Sequence, residues 1–208
     1  MTTSNKVTYN GGCVIAMQGK DCIAIATDRR FGLQSHTAGE DCQKVFHLSP
    51  RLYLGLTGLQ TDIMTVYNRL MYRKNVYEIN EGREVSPKVL TELLSHLLYE
   101  HRFGPFFVEP VIAGLDPETL EPYICCMDLI GCANVTNDFV ATGTCSDQLI
   151  GMCESVWSPN LNATELFKTI AQAMLGSFNR DAVSGWGSSI FILEKDKITE
   201  RLIRTRKD

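Results

Sequence analysis

The apolar positions change their period several times along the chain, and each change marks an element. Residues 14–17 and 22–27 are short runs rich in Ile and Val on either side of Gly19-Lys20-Asp21, and they predict a β-hairpin. Residues 43–47 and 52–56, around Ser49-Pro50-Arg51, predict a second. From Asp62 the spacing lengthens. Ile63, Val66, Tyr67, Leu70 and Met71 recur at three- and four-residue steps, the mark of an amphipathic helix, with Thr61 or Asp62 as its expected cap. Ser86-Pro87 then offers an N-cap followed by a proline in the first turn, where a missing N–H costs nothing. Val89, Leu90, Leu93, Leu94, Leu97 and Leu98 continue as a second helix toward Phe103-Gly104.

The alternating pattern returns at 106–113, 123–129 and 134–142, three expected strands separated by the turn chemistry of Asp116-Pro117 and Gly131. Helices are expected again at 146–156 and 163–179, the latter with Leu166, Phe167, Ile170 and Met174 on one face. Residues 188–193 and 197–203 close the chain as a hairpin around Lys195-Asp196. Strands, two helices, strands, two helices, strands is the order of an α+β, four-layer αββα sandwich. Two antiparallel sheets pack face to face and a helix pair covers each outer side, so that every amphipathic face finds a partner. No repeat, low-complexity stretch or long linker interrupts the 208 residues, which predicts a single domain over 1–208 with 1–11 as a short N-terminal extension.

Composition narrows the function. A formal charge of −4 argues against a nucleic-acid partner, which needs a basic face. The basic tail, Arg201, Arg204, Arg206 and Lys207, reads as a solvated terminal strand or as a salt-bridging contact with a partner chain. The apolar runs are too short to cross a bilayer and Met1-Thr-Thr-Ser-Asn-Lys6 precedes no signal-like segment, so no membrane partner is expected and the protein is expected to be intracellular. The eight cysteines form no CxxC pair, and neither they nor His36, His47, His96 and His101 show metal-ligand spacing. Buried thiols in a reducing compartment are the expected reading, and no cofactor is implied.

Four motifs go further: Ala26-Thr27-Asp28-Arg29-Arg30-Phe31-Gly32, Gln43-Lys44-Val45, Leu56-Thr57-Gly58 and Asn179-Arg180-Asp181-Ala182-Val183-Ser184-Gly185. In order and spacing they resemble the signature segments of proteasome beta subunits, members of the N-terminal-nucleophile (Ntn) hydrolase superfamily. The likeness runs from about Tyr9 to the C-terminus. Tyr9-Asn10-Gly11-Gly12, the segments 100–105 and 109–116, and Cys153-Glu154-Ser155 look like one particular type among those subunits.

In competent members the resemblance implies an N-terminal Thr whose hydroxyl attacks the peptide carbonyl, with an Asp sixteen residues on and a Lys thirty-two residues on. Counting back from Asp28 and from Lys44 lands on Gly12 both times, which carries no nucleophile. Gly58 matches the glycine that donates to the oxyanion, and Asp181 and Ser184 match the late loop. Thr144 and Cys145 stand where active members have Ser-Gly. The site is thus expected to be vestigial, with Asp28, Arg30 and Lys44 kept as a charge network. A Mg²⁺-like ion held by the loop of Asp181 and Ser184 in some relatives gives no firm metal site here.

What the resemblance implies is a non-catalytic subunit of the 20S core, in cytoplasm and nucleus, acting in ATP- and ubiquitin-dependent protein degradation. Its expected partners in a hetero-oligomer are ring neighbours of the beta-2 and beta-4 types, the alpha ring and the opposite beta ring. Asp128 and Cys132 correspond to a segment lining the pocket of the beta-2 type neighbour, which cleaves after basic residues; a solvated or capping Asp and a buried Cys are the plainer alternative. Two enzymatic alternatives are an active peptidase using Thr2, ten residues too far from Asp28, or Cys13, one residue out of phase. A free-standing Ntn-type hydrolase or a self-assembling homomer outside any proteasome is a third reading.

Overall fold

A computed structural model describes residues 6–207. In chain order the strands are β1 (Cys13–Gln18), β2 (Ile23–Asp28), β3 (Phe31–Leu33), β4 (His36–Gly39), β5 (Val45–Ser49) and β6 (Leu52–Gly58), followed by helices α1 (Gln60–Glu81) and α2 (Pro87–Tyr99). Then come β7 (Val108–Leu115), β8 (Pro122–Met127), β9 (Ala133–Thr136), β10 (Phe139–Gly143), α3 (Ser146–Val156), α4 (Ala163–Phe178), β11 (Ser188–Leu193) and β12 (Ile198–Ile203). One antiparallel sheet has the order β10-β1-β2-β11-β12, the other β5-β6-β7-β8-β9, and β3-β4 form a separate ribbon.

Strand alternation sorts the apolar side chains into three cores. Cys13, Ile15 and Met17 of β1 face α3 and α4, packing with Leu149, Cys153, Leu166, Ile170 and Met174. Val14 and Ala16 point the other way and meet Tyr53, Val111, Ala113 and Ile124 of the second sheet. On that sheet's far side Leu52, Leu54 and Leu56 pack on Ile63, Val66, Leu70, Leu90 and Leu94 of α1 and α2. This is the four-layer αββα sandwich of the sequence pattern.

Three points of local structure differ from expectation. The run 134–142 is two strands on different sheets: Asn137 and Asp138 break it, with Gln18 N–H donating to the Asp138 carbonyl, so β9 closes one sheet and β10 opens the other. The β3-β4 ribbon was not expected, because three- and four-residue strands are too short to show a period. Helix α1 begins at Gln60 with Leu59 as its N-cap and no side-chain cap, so neither Thr61 nor Asp62 caps it; the Asp62 carboxylate accepts from Phe107 N–H at 2.8 Å instead. The basic tail is exposed, in keeping with a solvated terminal strand, and its Lys207 pairs within the chain with Glu40. Ser86 caps α2 as expected, accepting from Val89 N–H.

Candidate functional site

The β1–β2 hairpin sets the site. Its register pairs Val14 with Thr27, which brings Asp28 beside the start of β1. Cys13 N–H donates to Asp28 Oδ1 at 3.0 Å, while Arg30 N–H and Gly185 N–H donate to Oδ2 at 3.2 and 3.3 Å. Lys44, just before β5, places Nζ 2.9 Å from Asp28 Oδ1 and donates to the carbonyls of Arg30 at 2.7 Å and Asp28 at 3.4 Å. Both charges are buried, and the ammonium finds an acceptor for each of its three protons.

Gly12 sits against this pair. A Cβ built there would overlap Lys44 Cε and stand 3.0 Å from Asp28 Oδ1, so the position faces both charged residues but carries no heteroatom. The lysine's methylenes take up the space. At φ +110° the backbone is also in a region that side chains rarely adopt. Cys13 points away, into the helix-side core beside Cys145. Burial first, then the hydrogen bond and charge of Cys145, push its thiol well above the ordinary value, which disfavours the thiolate that a nucleophile needs. Thr2 lies outside the described residues.

The remaining residues assemble from three loops. Thr144 N–H donates to the Gly12 carbonyl at 3.0 Å, and its hydroxyl donates to Asp181 Oδ2 at 2.7 Å. Asp181 Oδ1 accepts from Val183 N–H at 3.0 Å. Ser184 is buried with no partner for its hydroxyl among the described residues. Cys145 is buried at φ −105°, a conformation that needs no glycine. Gly58 ends β6 at φ +122°, where a Cβ would overlap the Phe107 carbonyl.

Arg30 ties these loops together. Its fully buried guanidinium donates to Thr37 Oγ1 at 3.0 Å, the Val183 carbonyl at 3.0 Å and the Gln34 carbonyl at 3.1 Å, and lies over the Trp186 ring. Burial pulls its pKa down, against the attraction of Asp28 and Asp181. A cation in the Asp181 loop does not fit well: the Val183 carbonyl already serves Arg30, and both Asp181 oxygens are engaged. Among the described residues no cluster of three or more His, Cys, Asp or Glu is placed to hold a metal ion.

Asp128 and Cys132 lie elsewhere, on the turn between β8 and β9. Asp128 Oδ1 accepts from Ile130 N–H at 3.0 Å and Cys132 N–H at 2.8 Å, and Ser95 of α2 donates to the Gly131 carbonyl at 2.7 Å. Both side chains are exposed, so Cys132 is not the buried thiol of the plainer alternative, while Asp128 does cap its turn.

Residues 8–193 match the family model described as "Proteasome subunit". The chain is 61% identical over 202 residues to a Drosophila melanogaster protein named proteasome subunit beta type-3, covering 97% of this chain and 98% of that protein. Proteins of the same name from Saccharomyces cerevisiae, 46% identical over 205 residues, and Caenorhabditis elegans, 46% identical over 202, match at similar coverage. The chain belongs to the proteasome subunit family.

Within this proteasome subunit, sequence reasoning missed three participants. Glu109 reaches across from β7 so that its carboxylate accepts from Gly143 N–H at 3.1 Å, and Thr57 joins Thr142 through their hydroxyls at 3.2 Å. Asn10 bonds to Gly32 and Gln60. All three residues lie within the motif segments Tyr9-Asn10-Gly11-Gly12, Leu56-Thr57-Gly58 and 109–116, but their partners are remote in sequence, so the motifs alone assign them no role.

Proposed function

We propose that this proteasome subunit is non-catalytic, completing a beta ring of the 20S core between beta-2 and beta-4 type neighbours and taking part in ATP- and ubiquitin-dependent protein breakdown in cytoplasm and nucleus. The observation that carries the reading is Gly12: the point facing Asp28 and Lys44 has no side chain, and lysine methylenes occupy the room a nucleophile needs. Intact-mass measurement of this chain taken from assembled particles tests it. A chain that still extends beyond Gly12 on its N-terminal side supports the reading, and one beginning at Cys13 overturns it.

The same proposal gives the exposed turn of Asp128 and Cys132 a role in the substrate pocket of the beta-2 type neighbour. An exposed carboxylate with only one oxygen committed to its turn favours cationic side chains at short range. Asp128→Asn keeps an oxygen for the two amides and removes the charge. Cleavage after basic residues by particles carrying it is expected to fall several-fold, with cleavage after acidic and after apolar residues unchanged; equal rates on basic substrates would sink the pocket-lining role.

A further inference from the structure

The segment leading up to Gly12 is built into the site it precedes. Gly32 N–H donates to the Asn10 carbonyl at 3.1 Å and Gln34 N–H to the Tyr9 carbonyl at 2.8 Å. Through these two bonds the turn of residues 8–11 lies against β3 and the residue that follows it, while β3 pairs with β4 in the ribbon. The Asn10 side chain replaces what the backbone lacks. Its Nδ2 donates to the Gly32 carbonyl at 2.9 Å, and its Oδ1 accepts from Gln60 N–H, at the start of α1, at 2.9 Å. Gly11 N–H closes a turn on the Thr8 carbonyl at 3.2 Å, and the Gly11 α-carbon lies so close to the Val183 carbonyl that a Cβ would overlap it. Asn10, Gly11 and Gly12 are all buried.

Strand addition to an exposed edge is how an extended peptide is held, through the free N–H and C=O groups of that edge. In β3 the N–H and the carbonyl of Gly32 are both bonded to Asn10, so the chain has already spent these groups on itself. We propose that residues 8–11 are an intramolecular strap: they take the place of an extended polypeptide beside Gly12, close the vestigial cleft to any other peptide, and fasten the β3-β4 ribbon to the start of α1. This goes beyond the lack of a nucleophile, since it makes the subunit unable to bind a peptide there as well as unable to cut one. It is also independent of the Asp128 turn.

Amide hydrogen exchange on the assembled particle, read at single-residue resolution, tests the strap. Gly32, Gln34 and Gln60 amides are expected to be protected in the native particle, and Asn10→Ala is expected to speed their exchange by about tenfold or more while Ile15 and Ile25 amides in the adjoining sheet keep theirs. In particles whose chain lacks residues 1–10, a synthetic peptide spanning residues 5–12 is expected to restore protection at Gly32 and Gln34, and the same peptide with alanine in place of Asn10 is not. If that shortened chain does not enter particles, the native and Asn10→Ala measurements decide alone. Gly32 and Gln34 amides that exchange in the native particle at the rate of an unstructured chain, or that are indifferent to Asn10→Ala, would overturn the proposal.

Discussion

At the scale of the residue, the buried Asp28–Lys44 pair has a structural role of its own. Asp28 accepts from three backbone amides on three segments, so it organises the end of β2, the start of β1 and the loop at Gly185. Lys44 neutralises it in a place that water does not reach. Lys44→Ala leaves a buried carboxylate alone, a loss of roughly 3–5 kcal/mol. The unfolding midpoint of particles carrying it is expected to drop, or the chain to be under-represented in them, with no peptidase activity lost per assembled particle. Adding Asp28→Asn removes the lone charge and is expected to recover part of the stability, a non-additivity that a double-mutant cycle reads directly.

At the scale of the element, α4 depends on its start. Asn162 accepts from Thr164 and Glu165 N–H while Glu165 returns a bond to Asn162 N–H, a complete capping box. Asn162→Ala is expected to cost about 0.5–2 kcal/mol, measurable in urea as a lowered midpoint at unchanged slope. The thiols packed beneath and near these helices give a pH dependence. Cys153 is pushed up to about 12 from 9.0 by burial, with Glu154 and Asp138 adding to it, and Cys22 and Cys125 are raised to about 11, also chiefly by burial. Their folded forms hold protons that the unfolded chain has released, so this contribution to stability is complete below pH 9 and is lost as pH rises toward 11–12. Cys153→Ala is expected to flatten that alkaline decline, on top of a pH-independent loss of packing. A decline of the same steepness in the variant would exclude Cys153 as a cause.

At the scale of the whole molecule, the sandwich buries its three cores yet leaves large apolar groups outside. Phe103 is 94% exposed, and Tyr72 and Ile79 on one face of α1 are 71% and 80% exposed, with Tyr99 nearby in sequence at the end of α2. Exposed apolar groups that share a face, as Tyr72 and Ile79 do seven residues apart on α1, are what surfaces that meet other chains present. Expressed without other subunits, the chain is expected to elute from size exclusion as a mixture of associated species, and Ile79→Lys with Phe103→Ser to shift it toward monomer. A single stable monomer from the unaltered chain would argue that these groups are not interface residues.

Sequence alone determined the order of elements and their layering, because the switch between a period of two and a period near four is written locally wherever a strand or helix is long enough to repeat it. It also singled out Gly12, Asp28 and Lys44, which the structure brings together at the start of β1. What it left open depended on groups that the fold brings together from distant segments. The break at Asn137 and Asp138 turns one apparent strand into members of two sheets, and only the closing of both sheets requires it. Arg30 on Val183, Thr144 on Asp181 and Glu109 on Gly143 are contacts between segments far apart in the chain. Local pattern carries no information about such neighbours, whereas burial obliges each of these polar groups to find one. The bonds of Asn10 are of the same kind, and through them the tertiary structure decided that the approach to Gly12 is occupied.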